Sequence, residues 1–336
     1  MVLEFKPQGI YCPAGDFYID PWRPVKRALI THGHSDHARE GHTHYLSTKT
    51  AAPVINYRLS NPSLDTIDFA ETRQIGDARV SFHPAGHVVG SAQIRVEVAG
   101  EVWVVSGDYK TTPDGVSEPY APVPCHTFIT ECTFGLPVFK WDEQADVITQ
   151  INAWWQANRD AGRFSILGAY ALGKAQRILA NVDASIAPIL THSAIENTNE
   201  ILRGQGIELP PTTRVTPDLD TKANQGALVL TTPSAMNNTW VRRFGKASTA
   251  FASGWMSMRG HRRRRAADRG FVMSDHADWD GLNQAIKATG AEKIFVTHGY
   301  TSQFARWLNS QGYDTGIVET EFEGESLDTP QSETAE

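Results

Sequence analysis

The chain reads as an α/β protein, and three features of its 336 residues lead there. The first third is strand-rich, the middle alternates strand and helix, and a His or carboxylate follows one strand end after another. Val80-Ser81-Phe82, Ile94-Arg95-Val96-Glu97-Val98 and Val102-Trp103-Val104-Val105 alternate or run apolar, the last two joined at Ala99-Gly100 as a hairpin. Phe128-Ile129-Thr130 is another short strand. From about Gly135 the rhythm changes. A helix is predicted over 143–157, with Trp154 and Trp155 among its apolar positions, then a strand over 164–168 and a helix from Lys174. A strand over 186–190 follows, and Ser193-Ala194-Ile195-Glu196 predicts a capping box opening the next helix. A strand over 227–230 and a helix near 235–244 complete what reads as a parallel α/β module. After Phe271-Val272-Met273 come Ser274-Asp275-His276, a helix, a strand over 293–296, and a last helix to about Asn309 with Gly312 placed to stop it. The acidic, Ser/Thr-rich stretch 324–336 is expected to be a disordered tail.

This length suits two domains, or one domain carrying an insertion. Hydrophobic content of 40% and charge of 21% are ordinary for a soluble globular enzyme. No apolar run resembles a signal peptide or reaches the length of a membrane span, so a cytoplasmic protein with no membrane partner is expected. Cys12, Cys125 and Cys132 are odd in number and widely spaced, as free thiols in a reducing compartment would be. The net charge is -7, yet residues 240–270 hold nine Lys or Arg against Asp268 alone. That window is +8 and the remaining chain -15. A focused cationic stripe on an acidic body recruits a polyanion without making the whole surface adhesive. Arg259, Arg262, Arg263, Arg264 and Arg265 are its candidate phosphate contacts.

His32-Gly33-His34-Ser35-Asp36-His37 packs three imidazoles and a carboxylate into six positions, just past the apolar Arg27-Ala28-Leu29-Ile30-Thr31. His32 and His34 can share one ion while Asp36 and His37 reach a second. Neutral imidazole with carboxylate suits zinc, and also manganese or iron. Later strands repeat the form. Val80-Ser81-Phe82 leads to Pro84-Ala85-Gly86-His87, Val105-Ser106-Gly107 to Asp108, Ile129-Thr130 to Glu131, and Val296-Thr297 to His298-Gly299. Rigid strands fix the loops that follow them, which is why site residues gather there.

These residues, in this order, resemble the metallo-β-lactamase superfamily. Glu131, the inserted module, Ser274-Asp275-His276-Ala277-Asp278 and Thr297-His298-Gly299 resemble its β-CASP branch of nucleases. Tyr11-Cys12-Pro13-Ala14-Gly15-Asp16, Ala85-Gly86-His87-Val88-Val89-Gly90-Ser91-Ala92 and the Arg run resemble the bacterial ligase-associated DNA exonucleases. The resemblance spans nearly the whole chain apart from the tail. It implies a metallo-β-lactamase αββα sandwich formed by residues 1–134 and 271–323, with a β-CASP cap over 135–270. It implies His32, His34 and His87 on one divalent ion, Asp36, His37 and His298 on the other, and Asp108 bridging. Two zinc ions are expected, or manganese. His276 would protonate or stabilise the leaving oxygen and Glu131 orient it, with Asp36 serving both as ligand and in catalysis. Either Asp20 or Asp16 would support the metal loop.

Gly168-Ala169-Tyr170-Ala171-Leu172-Gly173-Lys174-Ala175 falls one residue short of a phosphate-binding P-loop, since Ala175 stands where Mg²⁺ needs a hydroxyl. An ATPase is therefore disfavoured, but Lys174 and Arg177 could hold a substrate phosphate at this helix N-terminus or be plain exposed residues. The function expected is a two-metal DNA exonuclease in repair, with 5′-end-directed digestion favoured. It would associate with a ligase and a helicase, and its substrate strand would pass the Arg stripe. A ribonuclease of the same branch and a catalytically silent scaffold are the alternatives. A small-ester hydrolase is disfavoured by the insertion and the stripe.

Overall fold

The computed structural model describes residues 1–237, 239–260 and 267–321. The chain divides into two compact units, the first made of Met1–Pro113, Ser117–Lys140 and the residues from Asp275, the second of Asp114–Val116 and Trp141–Ser274. Apart from Asp114–Val116, the chain passes into the second unit after Lys140, whereas the sequence places the change after residue 134. Phe134 and Phe139 explain the shift: their rings pack together and against His276 and Tyr300, holding this stretch in the first unit.

In the first unit, β1 (Glu4–Lys6), β2 (Gly9–Cys12), β3 (Phe17–Ile19), β4 (Arg27–Leu29), β5 (His44–Thr48) and β6 (Leu64–Ile67) form one sheet in that order. The first two pairings are antiparallel and the next three parallel. Helix α1 (Ala52–Arg58) lies between β5 and β6 in the chain. A second sheet begins with β7 (Thr72–Ile75), β8 (Ala78–Pro84), β9 (Ala92–Val98) and β10 (Glu101–Val105), all antiparallel neighbours. It continues with β11 (Thr127–Cys132), parallel to β10. The expected hairpin is present, with Val98 opposite Glu101.

Period-two alternation decides which core each residue joins. Trp103 and Val105 point into a core shared by the two sheets, with Ile10, Phe17, Ile19, Leu29, Val80 and Phe82. Val102 and Val104 point the other way, into a core with Phe128, Leu282, Ile286, Phe304 and Leu308. Likewise Leu29 joins the shared core while Ala28 and Ile30 pack with Ile55 of α1.

The second unit holds α2 (Gln144–Asp160), β12 (Phe164–Gly168), α3 (Lys174–Asn181), β13 (Ile189–Thr191), α4 (Ser193–Gly204), β14 (Thr213–Arg214), β15 (Leu228–Thr231), α5 (Thr239–Arg242), β16 (Ala247–Ala252) and β17 (Arg269–Phe271). Its six strands are all parallel, in the order β14-β13-β15-β12-β16-β17. Trp155, Leu167, Ile178, Leu228 and Leu230 anchor its core. The chain then returns to the first unit through α6 (Trp279–Thr289), β18 (Lys293–Gly299), α7 (Thr301–Ser310) and β19 (Asp314–Ile317). β18 inserts beside β11 and β19 beside β18, both parallel.

Two local expectations need correction. The capping box at Ser193 does not form: α4 is capped one residue earlier by His192, whose Nδ1 accepts from the Ala194 amide. Glu196 instead accepts hydrogen bonds from Thr191, Asn199, Arg203 and Thr212. The helix expected near 235–244 is a 3₁₀ turn at Ala235–Asn237 followed by the short α5. All three cysteines are free thiols. Among the described residues no helix is long and apolar enough to cross a membrane.

Candidate metal centre

Each expected ligand follows a strand of the first unit or, for His298, lies at the end of one, and local geometry turns it inward. After β3, Asp20 adopts a positive φ of 42° and is buried. Its Oδ1 accepts from the Thr31 amide at 2.8 Å, and its Oδ2 from Thr31 Oγ1 at 2.5 Å and His37 Nδ1 at 2.7 Å. Asp20 is therefore the carboxylate beneath the histidine loop. Asp16 lies elsewhere, accepting from Tyr11 Oη at 3.1 Å. Gly107 precedes Asp108 at φ 56°, where a Cβ would meet Thr31 at 2.7 Å. Only glycine brings that strand end so close to the histidine loop.

The hydrogen bonds fix which imidazole nitrogen is presented. Thr31 Oγ1 spends its proton on Asp20, so at 3.0 Å it accepts from His32 Nδ1. His37 Nδ1 donates to Asp20 and His87 Nδ1 donates to the Asp275 carbonyl at 2.8 Å. Thr297 Oγ1 donates to the Thr130 carbonyl and accepts from His298 Nδ1 at 3.1 Å. Four histidines thus keep Nδ1 on a supporting group and turn Nε2 toward the cluster, the arrangement metal-binding imidazoles use. Ser91 and Glu118 hold the His87 loop, Ser91 Oγ accepting from the His87 amide at 3.0 Å and Glu118 from the Gly90 amide at 2.8 Å.

These atoms converge. One ligand atom from each of His32, His34, His87 and Asp108 lies within 4.8 Å of the others. His34 Nδ1 is 3.1 Å from His32 Nε2 and 3.0 Å from His87 Nε2. Asp108 Oδ2 is 3.6 Å from His32 Nε2 and 3.8 Å from His87 Nε2. Zinc with bonds of about 2.0–2.2 Å to a tetrahedron of ligands needs ligand atoms about 3.3 Å apart, close to these four separations of 3.0–3.8 Å. One proton on His34 cannot serve both facing lone pairs well, whereas a cation serves all of them. The donor set fits a divalent metal.

The second expected set is brought together pairwise around the same carboxylate. His37 Nε2 lies 3.4 Å from Asp108 Oδ2 and 3.8 Å from Asp36 Oδ2, and His298 Nε2 lies 3.0 Å from Asp108 Oδ1. Asp108 reaches both sets, one oxygen toward His298 and the other toward His32, His37 and His87.

Electrostatics separate the histidines into two kinds. Burial, with the neighbouring imidazoles, holds His32 well below the usual histidine range, and burial with His276 and His34 lowers His87 to about 3. For His37 burial acts in the same direction, but Asp108, Asp36 and Asp20 outweigh it and raise its pKa well above the ordinary value. Asp108 is buried too, which opposes its charge, yet His37, His276 and His298 keep it ionised far below the carboxylate range. Three carboxylates call for positive charge here, and divalent ions supply it.

Beside this cluster stands a buried acid–imidazole pair. His276 Nδ1 lies 2.9 and 2.8 Å from the two Glu131 oxygens. The Tyr109 amide donates to Glu131 Oε1 at 2.8 Å. The His276 and His87 rings are 4.7 Å apart, and one ligand atom from each of Asp108, Glu131 and His276 falls within 4.8 Å of the others.

Lys174 and Arg177 are not the plain exposed residues that one expectation made them. Both are buried within the second unit. Lys174 Nζ lies 4.8 Å over the Tyr170 ring. Arg177 donates from Nε to Gln144 Oε1 at 2.5 Å and from Nη1 to the Ser274 carbonyl. The turn before α3 is satisfied internally, the Gly173 amide donating to Gln176 Oε1 at 2.8 Å. Arg259 is exposed, and Arg262, Arg263, Arg264 and Arg265 lie outside the described residues.

No family model matches the chain. A probable DNA ligase from Opitutus terrae is 29% identical over 314 residues, 92% of this chain and 30% of that protein. The endoribonuclease YSH1 of Gibberella zeae is 30% identical over 175 residues, 50% of this chain and 20% of that one. The chain therefore spans less than a third of the length of either relative. A crystal structure of a protein of unknown function from Enterococcus faecalis V583 superposes with a TM-score of 0.53 at 10% identity, covering 80% of this chain and 74% of that one. In its strand-tip ligands, its buried Glu131–His276 pair and its likeness to these relatives, the chain resembles the β-CASP branch of the metallo-β-lactamase superfamily.

Proposed function

We propose that this protein is a two-metal phosphodiesterase that degrades DNA from an end, in a repair setting. The observation that carries the reading is the shared carboxylate. Asp108 reaches both ligand sets and lies beside a histidine backed by a buried glutamate. His32, His34, His87 and Asp108 would hold one divalent ion, zinc or manganese, and Asp36, His37, His298 and Asp108 the other. When bound, such a pair lowers the pKa of a water and offsets charge developing on the phosphoryl oxygens.

The chain's own groups do the rest. Thr31, Asp20, Asp275 and Thr297 fix the tautomers of four histidines before metal arrives. Glu131 accepts from His276 Nδ1, which stabilises the imidazolium and leaves Nε2 as the atom that passes a proton to the departing oxygen. In this reading the first unit, with its paired sheets, is the metallo-β-lactamase sandwich and the second is the β-CASP cap. The likeness to a ligase-named protein over 92% of the chain supports DNA as the substrate and a ligase as a partner.

The likeness to an endoribonuclease favours RNA as the second reading. Matched DNA and RNA strands labelled at either end, digested with zinc or manganese, test both. Stepwise loss of DNA from the 5′ end is the result expected. RNA cut internally, with DNA intact, would replace the first reading with the second.

A further inference from the structure

Helix α1 connects two ligand loops that are distant in sequence. At its start Thr48 Oγ1 donates to the Gly90 carbonyl at 2.6 Å and accepts from the Ala51 amide at 3.1 Å, so this end is tied to the loop carrying His87. Its flank is buried, Ile55 and Ala51 packing with Ala28, Ile30 and Ala38. At its other end Arg58 reaches away from the helix, and Nη1 donates to the Gly33 carbonyl at 2.5 Å.

Gly33 separates the ligands His32 and His34. The His34 carbonyl accepts from the His37 and Ala38 amides at 3.3 and 2.8 Å, closing a turn that excludes the preceding carbonyl. Arg58 therefore satisfies a group that the turn itself leaves out. The peptide between Gly33 and His34 is rigid, so holding its oxygen sets the direction from which the His34 ring departs. His34 is the one histidine of its set that offers Nδ1 rather than Nε2.

We propose that Arg58 is a positioning residue: through the Gly33 carbonyl it holds His34 in place and thereby sets the affinity of the ion shared by His32, His34, His87 and Asp108. The proposal rests on the metal-centre reading above. Burial works against the guanidinium's charge and the Asp36 carboxylate supports it, consistent with a group set into the loop rather than over solvent. A bare cation near two divalent ions would weaken metal binding by repulsion. The bond to Gly33 strengthens it by preorganisation. The sign of the effect therefore identifies which role Arg58 has.

Zinc titration of metal-free protein against a chelating indicator, without nucleic acid, is the test. Arg58→Met is expected to weaken one of two binding events by about 10–100-fold, the usual loss when a ligand's support is removed. The other event should keep its wild-type affinity, and Arg58→Lys, which keeps a donor, should recover most of the loss. Arg58→Gln, too short to reach Gly33 and compatible with a helix, repeats the measurement should the Met variant not fold. Wild-type affinity in the Gln variant, tighter binding in either, or equal weakening of both events would overturn the proposal. A wild type that binds no zinc would instead remove the centre itself.

Discussion

Asp108 presents one oxygen to His298 and the other to His32, His37 and His87, while His276 stands close with its Nδ1 on Glu131. These neighbours have separable roles. His276→Ala is expected to lower the cleavage rate by about 10²–10⁴-fold, the usual worth of a positioned proton donor, with two bound ions retained by elemental analysis. A variant cleaving at the wild-type rate would assign the leaving-group proton elsewhere. His42 tests burial instead. It is 8% exposed, its Nδ1 accepts from the Val25 amide, and burial lowers its pKa from 6.5 to about 4. Between those values the unfolded chain takes a proton that the folded chain refuses, so stability is full above 6.5 and falls as pH drops toward 4, by up to about 3 kcal/mol. The urea midpoint of His42→Gln should fall less steeply over that interval than that of the wild type. The seven ligand candidates were legible because the chain repeats a short apolar run followed by a His or Asp. Thr31, Ser91, Glu118 and Arg58 were not, since nothing in their own stretches marks a hydrogen bond to a loop far away in sequence.

At the level of elements, strand ends and the turns after them carry the chemistry. Gly107 shows how tight the tolerance is. Gly107→Ala would place a methyl 2.7 Å from Thr31 at a φ of 56°, displacing Asp108 and the hydroxyl that fixes His32. A loss of zinc affinity with helix content unchanged by circular dichroism is expected, and an alanine variant binding zinc normally would show that the loop yields. Alternation in β10 was readable, and Trp103 and Val104 do face opposite cores. The α4 cap was not, because Ser193 and Glu196 have the right spacing but Glu196 has four other donors within reach. The near P-loop left the burial of its basic residues open for a similar reason. Lys174 and Arg177 carry charges that usually seek water, and only the packed unit shows them inside it.

Across the whole molecule, several carboxylates and imidazoles are buried in one place. Buried charge is costly unless it is paired, so bound metal should contribute to stability as well as chemistry. Chelation is expected to lower the melting temperature, and added zinc to restore it in a concentration-dependent way. A melting temperature indifferent to both would mean that the cluster holds no metal. The two-unit plan was legible in the change of rhythm near Gly135, while its boundary was set by Phe134 and Phe139, whose packing is tertiary.

β11 and β18 are neighbours in one sheet, with Thr130 opposite Val296, although Trp141–Ser274 of the second unit are translated between them. During synthesis a ribosome must therefore release that insertion before the sheet can close, and loop-closure entropy makes so non-local a pairing slow. His298 rides on the late strand. A nascent chain thus carries an incomplete set of candidate ligands until β18 itself has emerged.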